Sequence, residues 1–174
     1  MRTSRMVAAL CVTVALAGNL GADTTVELKG VHLCCGACVK GVNDIVKKLD
    51  GVTAKCDQKA QKVTLTAPND EAAQKALEAL AAGGYHGEAA DPKFAMKDDS
   101  GASKGKVASL SVSGIHNCCP RCTMAIKDAV KKVDGATGNT IKPRQEAFTI
   151  SGDFDAADLV KALNAAGFHV KVKQ

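Results

Sequence analysis

The sequence predicts an α+β chain in which a single βαββαβ unit is written twice. Three observations carry that reading: an internal repeat, apolar residues recurring with strand and then helix periodicity in each copy, and Gly-containing turn signals between the runs. Gly30-Val31-His32-Leu33-Cys34-Cys35-Gly36-Ala37-Cys38 matches Gly114-Ile115-His116-Asn117-Cys118-Cys119-Pro120-Arg121-Cys122 at an offset of 84. Lys47–Thr53 matches Lys131–Thr137 at the same offset. Leu80–His86 matches Leu163–His169 at an offset of 83, a one-residue slip that fits a loop change. All four His fall at paired positions.

The elements follow in order. Val26 and Leu28 alternate with polar residues, as a half-buried strand requires. Val42, Val46 and Leu49 then recur at helical spacing beside Ile45, matched by Ile126, Val130 and Val133. Asp50-Gly51 and Asp134-Gly135 end these helices with a residue that tolerates the left-handed turn. Val63 and Leu65 alternate on a strand, as do Phe148 and Ile150. Pro68-Asn69-Asp70 offers a cap before a helix carrying Leu77 and Leu80, with Leu159 and Leu163 as counterparts. Gly84 and Gly167 close these helices ahead of a short last strand. The expected architecture is two ferredoxin-like βαββαβ sandwich domains in tandem, over residues 23–90 and 107–174. Each is roughly 65 residues, a size at which a core is marginal. Residues 91–106 include Asp98-Asp99-Ser100-Gly101-Ala102-Ser103-Lys104-Gly105, lack apolar periodicity, and read as a flexible linker.

Composition narrows the function. The chain of 174 residues is 46% hydrophobic and 24% charged, the proportions of a globular protein. Aromatic residues make up only 3%, which argues against the stacking platforms of single-strand nucleic-acid binding. The net charge of +5 is spread along the chain without a basic stripe, so no nucleic-acid partner is expected.

Arg2 and Arg5 precede an apolar run from Met6 to Ala17, and small residues follow. Residues 1–22 therefore read as a signal peptide, with Ala17 and Ala22 both fitting the cleavage position. The run is too short to span a bilayer. Removing it takes Cys11, leaves seven Cys, and lowers the charge to +3. The expected location is periplasmic or secreted, with no membrane span after cleavage. Thiols there tend to oxidise unless a metal or reductant holds them.

Cys35-x-x-Cys38 and Cys119-x-x-Cys122 sit where the first strand of each copy hands over to the first helix. The free N–H groups and partial positive charge of a helix N-terminus favour thiolate. Two thiolates at this spacing can converge on one ion, and thiolates select soft or borderline metals such as Cu(I), Zn(II) or Hg(II).

Each copy resembles a heavy-metal-associated domain, the module of copper chaperones, of metal-transporting ATPase N-terminal tails, and of the periplasmic mercury-binding protein. The resemblance rests on the Gly-apolar approach to the cluster, the CxxC, the apolar helix, the hairpin and the final Gly-aromatic. It implies one soft metal ion per domain, Cu(I) above all, held by Cys35 and Cys38 and by Cys119 and Cys122. It also implies handover by ligand exchange to a metal transporter or another metal-binding domain. The chain departs from the family pattern at Val31 and Ile115, where Met is usual, and by two extra residues between the Gly and the CxxC. Tyr85 and Phe168 stand where copper chaperones carry Lys. An extra thiol, Cys34 or Cys118, precedes each pair and could complete a three-sulfur site, so the candidate metal set is Cys34, Cys35, Cys38, Cys118, Cys119 and Cys122.

His32 and His116 read as solvated loop residues or further ligands, and Cys56 as a half-buried strand residue. His86 and His169 are expected in the loop beside the cluster, and Tyr85 and Phe168 packed against it. No Ser/His/Asp set, phosphate loop or paired-carboxylate pattern is visible, so the chain is not expected to be an enzyme. The rival readings are an extracytoplasmic thiol–disulfide oxidoreductase using the same Cys, and a disulfide-stapled adaptor.

Overall fold

The computed structural model describes residues 23–173. The expected signal segment, residues 1–22 with Cys11, lies outside the described residues. The first module runs β1 (Thr24–Lys29), α1 (Gly36–Val46), β2 (Thr53–Asp57), β3 (Lys62–Ala67), α2 (Asp70–Ala82) and β4 (Glu88–Ala89). The second repeats this order: β5 (Lys106–Ser113), α3 (Pro120–Val130), β6 (Ala136–Asn139), β7 (Phe148–Asp155), α4 (Ala156–Ala165) and β8 (Lys171–Lys173). The sheets are antiparallel with orders β2-β3-β1-β4 and β6-β7-β5-β8. The first and third strands of each module are central neighbours, the split βαβ arrangement that the two copies predict. No described helix is long and apolar enough to cross a membrane.

Alternation places the core where the sequence reading put it. Val26, Leu28, Val63 and Leu65 line one face of the first sheet and are buried against Val42, Val46, Leu77 and Leu80. Leu110, Val112 and Ile150 do the same beneath Ile126, Leu159 and Leu163. Asn69 caps α2 by accepting from the Ala72 N–H at 2.9 Å, and Asp155 caps α4 by accepting from Ala157 at 2.8 Å.

The first helices are shorter than the apolar spacing suggested. They end at Val46 and Val130, and Leu49 and Val133 follow in tightened turns closed by Leu49 N–H to Val46 O and Val133 N–H to Val130 O. These residues still reach the core from outside the helix, because a tight turn continues the helical rotation for one more step. Gly51 and Gly135 then reverse the chain at φ +70° and +85°.

The expected flexible linker is instead anchored at several points, while most of its residues stay exposed. Phe94 is 5% exposed, and Lys93 and Lys97 pair with Asp70 and Glu78 on α2. Ser100 is 3% exposed and accepts from the Val172 N–H at 2.8 Å, so the segment extends the edge of the second sheet. Asp99 pairs with His169 and Lys171. Low apolar content hid this, because apart from Phe94 the anchors are polar: Lys93, Lys97, Asp99 and Ser100.

The modules dock face to face. Tyr85 and Phe168 form an antiparallel bridge between them, with the His86 N–H donating to Gly167 O and the His169 N–H to Gly84 O, each at 3.1 Å. Gly84 and Gly167, at φ +80° and +87°, let the two backbones meet. A Cβ at Gly84 would lie 2.2 Å from the His116 nitrogen, and one at Gly167 would lie 2.4 Å from that of His32.

Candidate metal centre

Each cysteine cluster is set by its loop and by the start of a helix. Val31, Leu33 and Ile115 are buried and pin the loops to the core. Gln61 braces the first loop, its Oε1 accepting from the Leu33 N–H at 3.0 Å and its Nε2 donating to Leu33 O at 3.3 Å. In the second loop Asn117 replaces Leu33. Its Nδ2 donates to Lys142 O and Gln145 O at 2.9 Å, and its Oδ1 accepts from the Thr123 hydroxyl at 2.8 Å. Cys35 and Cys119 are the N-cap residues of α1 and α3, and Cys38 and Cys122 lie fully buried in the first turns.

Docking brings the two clusters into one. The Cys34 sulfur lies 3.5 Å from those of both Cys119 and Cys122. Cys38 lies 3.6 Å from Cys118 and 3.8 Å from Cys122. Cys35 lies 4.0 Å from Cys118 and 3.9 Å from Cys119. All six are free thiols. Two separate centres, one per module, were expected; the described residues hold a single pool of six sulfurs at the module interface. The sequence could not reveal this, because it depends on how two surfaces meet.

Three His/Cys groups have ligating atoms within 4.8 Å of one another: Cys38 with His116, Cys118 and Cys122; His32 with Cys34 and Cys122; and Cys34 with Cys35 and Cys119. Each takes residues from both modules. Cys56 is in none of them; it sits on β2 opposite Val63, half-buried, and burial raises its thiol.

The electrostatics are those of sulfurs sharing too few protons. Hydrogen bonding from Cys122 lowers the Cys38 thiol despite burial, with His116 adding to the effect. The same contact with Cys38, together with burial, raises Cys122, so Cys38 holds the charge of that pair. Burial pushes Cys34 up, and with the Cys38 contact takes Cys118 to about 12. Burial also opposes ionisation of Cys119, but backbone donors at the helix start and the Cys34 contact bring it down to about 7. The helix N-termini therefore favour thiolate unevenly, and compact packing of the remaining thiols works against it.

The histidines differ from expectation. His32 and His116 are half-buried, not solvated, and each lies against an aromatic ring of the opposite module: His32 tilted against Phe168 at 4.5 Å and His116 stacked on Tyr85 at 4.2 Å between centroids. The Tyr85 hydroxyl donates to Cys38 O at 3.0 Å and lies 3.1 Å from His116 Nε2. His32 Nε2 is buried without a hydrogen-bond partner among the described residues. His86 and His169, expected beside the cluster, belong to none of the three groups; they face each other with Nδ1 atoms 3.4 Å apart, and His169 Nε2 meets Asp99 at 2.7 Å. Sequence reasoning missed these roles, although pairing of all four His within the repeat marked them as a set.

Such an arrangement can bind soft cations. With a metal–sulfur bond of about 2.3 Å, a tetrahedral set has sulfur–sulfur edges of about 3.8 Å and a trigonal set about 4.0 Å. The observed separations of 3.5 to 4.0 Å lie at or just below those values, and the orphaned His32 nitrogen is a further potential ligand atom. The residues fit a soft metal ion.

No family model matches the chain, and no curated protein matches it. Among solved structures, the chain is similar to the N-terminal soluble domains of Bacillus subtilis CopA, at 18% identity over 88% of this chain and 96% of that one, with a TM-score of 0.32. It is also similar to the first two RRM domains of the yeast poly(U) binding protein Pub1, at 12% identity over 86% and 98%, with a TM-score of 0.25. The fold assignment rests on the strand order of the two sheets, not on these likenesses.

Proposed function

We propose that the chain is an exported protein that binds soft metal ions, Cu(I) foremost, and carries or sequesters them outside the cytoplasm. The observation that carries this reading is the convergence of six free thiols and two imidazoles into three overlapping groups of ligating spacing. Thiolate-rich sites select Cu(I) and its neighbours over hard cations. Export rests on the leader-like sequence of residues 1–22, and handover to a transporter on the family resemblance. The reading is tested by offering Cu(I) and Zn(II) in competition to the reduced mature protein without oxygen. Tight binding that collapses in Cys38→Ser and Cys122→Ser is expected. Binding indifferent to both substitutions would sink it.

A second reading has one observation in its favour. Cys119, at a helix N-terminus and near pKa 7, is the thiol best placed to act as a nucleophile. Turnover of a disulfide substrate, lost in Cys119→Ser, would put the oxidoreductase first.

A further inference from the structure

Contacts among the six sulfurs form a definite pattern. Cys34, Cys38 and Cys122 close a triangle with edges of 3.6, 3.5 and 3.8 Å. Cys34, Cys119 and Cys122 close a second, of 3.5, 3.5 and 3.8 Å. Cys35, Cys38 and Cys118 close a third, of 3.8, 4.0 and 3.6 Å. Cys38, Cys118 and Cys122 close a fourth, of 3.6, 3.8 and 3.7 Å.

Every triangle takes sulfurs from both modules. Neither module closes one alone, because the adjacent cysteines of each, Cys34 with Cys35 and Cys118 with Cys119, make no such contact. Nor does any foursome close, so an all-sulfur tetrahedral site is not preformed. Two of the triangles, Cys34/Cys119/Cys122 and Cys35/Cys38/Cys118, share no atom and between them use all six sulfurs. The other two overlap them at Cys34, Cys38, Cys118 and Cys122, so filling these would make those four sulfurs bridges between ions, with Cys38 and Cys122 in three triangles each.

We infer that the six cysteines form one polynuclear Cu(I)–thiolate centre shared by the two modules, with ions in three-sulfur sites and Cys34, Cys38, Cys118 and Cys122 bridging. This rests on the soft-metal reading above and replaces one ion per module with a single cluster. Three-coordination suits a monovalent soft ion, and bridging thiolates let several cations offset several negative sulfurs in one place. Each thiol that binds gives up its proton to solvent, and copper stays Cu(I) throughout, so no oxidant or reductant is needed. A lone tetrahedral ion on Cys38, His116, Cys118 and Cys122 would leave Cys34, Cys35 and Cys119 crowded together without use.

The test is an anaerobic Cu(I) titration of the reduced chain against a competing chelator, followed by copper X-ray absorption. More than two Cu(I) per chain, with copper–copper scattering, is expected. Cys35→Ser and Cys119→Ser should each disturb the whole cluster. Gly84→Ala combined with Gly167→Ala obstructs docking without touching a sulfur. With its folded content checked by circular dichroism, it should lose the copper–copper signal and fall to two ions or fewer. Two ions in the parent chain, lost one each with Cys35→Ser and Cys119→Ser and without metal–metal scattering, would overturn the inference and leave the carrier reading standing. One Zn(II) displacing all Cu(I), indifferent to Cys35→Ser, would also overturn it. Absence of any tight metal would overturn both.

Discussion

Tyr85 and Gly41 make a matched pair. A Cβ on Gly41 would lie 2.2 Å from the Tyr85 hydroxyl oxygen and 3.3 Å from the carbon that bears it. In the second copy Ala125 replaces Gly41 and Phe168 replaces Tyr85, so the methyl group arrives where the hydroxyl is gone. Gly41→Ala alone should destabilise the chain by about 1–3 kcal/mol, because the hydroxyl must leave its partners Cys38 O and His116. Tyr85→Phe alone should cost about 1–2 kcal/mol. The double variant should lose clearly less than the sum, since it recreates the second copy's solution and gains helix propensity. Strict additivity in chemical denaturation would refute this coupling. The repeat held the clue, but only a structure shows that positions 41 and 85 touch.

At the scale of elements, strand faces were legible and helix ends were not. Val26, Leu28, Val63 and Leu65 announce their sheet because alternation maps directly onto the two faces of a strand. Leu49 and Val133 mislead because a tight turn keeps apolar side chains on the helical stripe after the α-helix has stopped. The caps were half legible. Asn69 stands in a recognisable Pro-Asn-Asp signal, whereas Asp155 ends a strand and starts a helix with no break. Asn69→Ala should cost about 1 kcal/mol, the usual loss of one capping bond. Asp155→Ala should cost more, because its carboxylate accepts from both Ala157 and, at 2.9 Å, the Gly105 N–H. Equal losses for the two would show that the Gly105 contact contributes nothing.

For the whole molecule, the six candidate sulfurs were legible one by one and their union was not. CxxC spacing fixes which atoms are near within a module, but the docking of modules depends on Gly84, Gly167 and four imidazoles packed at the interface, none of which has a sequence period. That interface should respond to acid. Burial, with the charge of His169 close by, lowers His86 to about 4, while Asp98 pulls weakly the other way. His169 is itself held by Asp99, which also pairs with Lys171. The unfolded chain takes a proton on His86 below pH ~6.5, whereas the folded chain resists it down to about 4. The His86 contribution to stability is thus full above pH ~6.5 and is lost as the pH drops toward 4. Urea midpoints of the metal-free protein should decline across that window, and His86→Gln should flatten the decline. An unchanged slope in that variant would place the acid sensitivity elsewhere.

The pseudo-symmetric docking has one more consequence. Each docking face uses the same repeat positions: 32 and 116, 84 and 167, 85 and 168. A face that closes within one chain therefore closes equally well between two. The connecting segment of residues 91–106, if pulled off its anchors, could reach roughly 50 Å at about 3.3 Å per residue. Chains opened together at high concentration would exchange halves, the first module of each meeting the second of the other, and the resulting swapped dimer would carry two complete sulfur pools. Metal would then act as a latch on whichever pairing it finds. Loading a dilute protein would trap single chains, and loading a crowded, partly opened one would trap swapped pairs, so the order of events would leave a lasting mark on an otherwise identical composition.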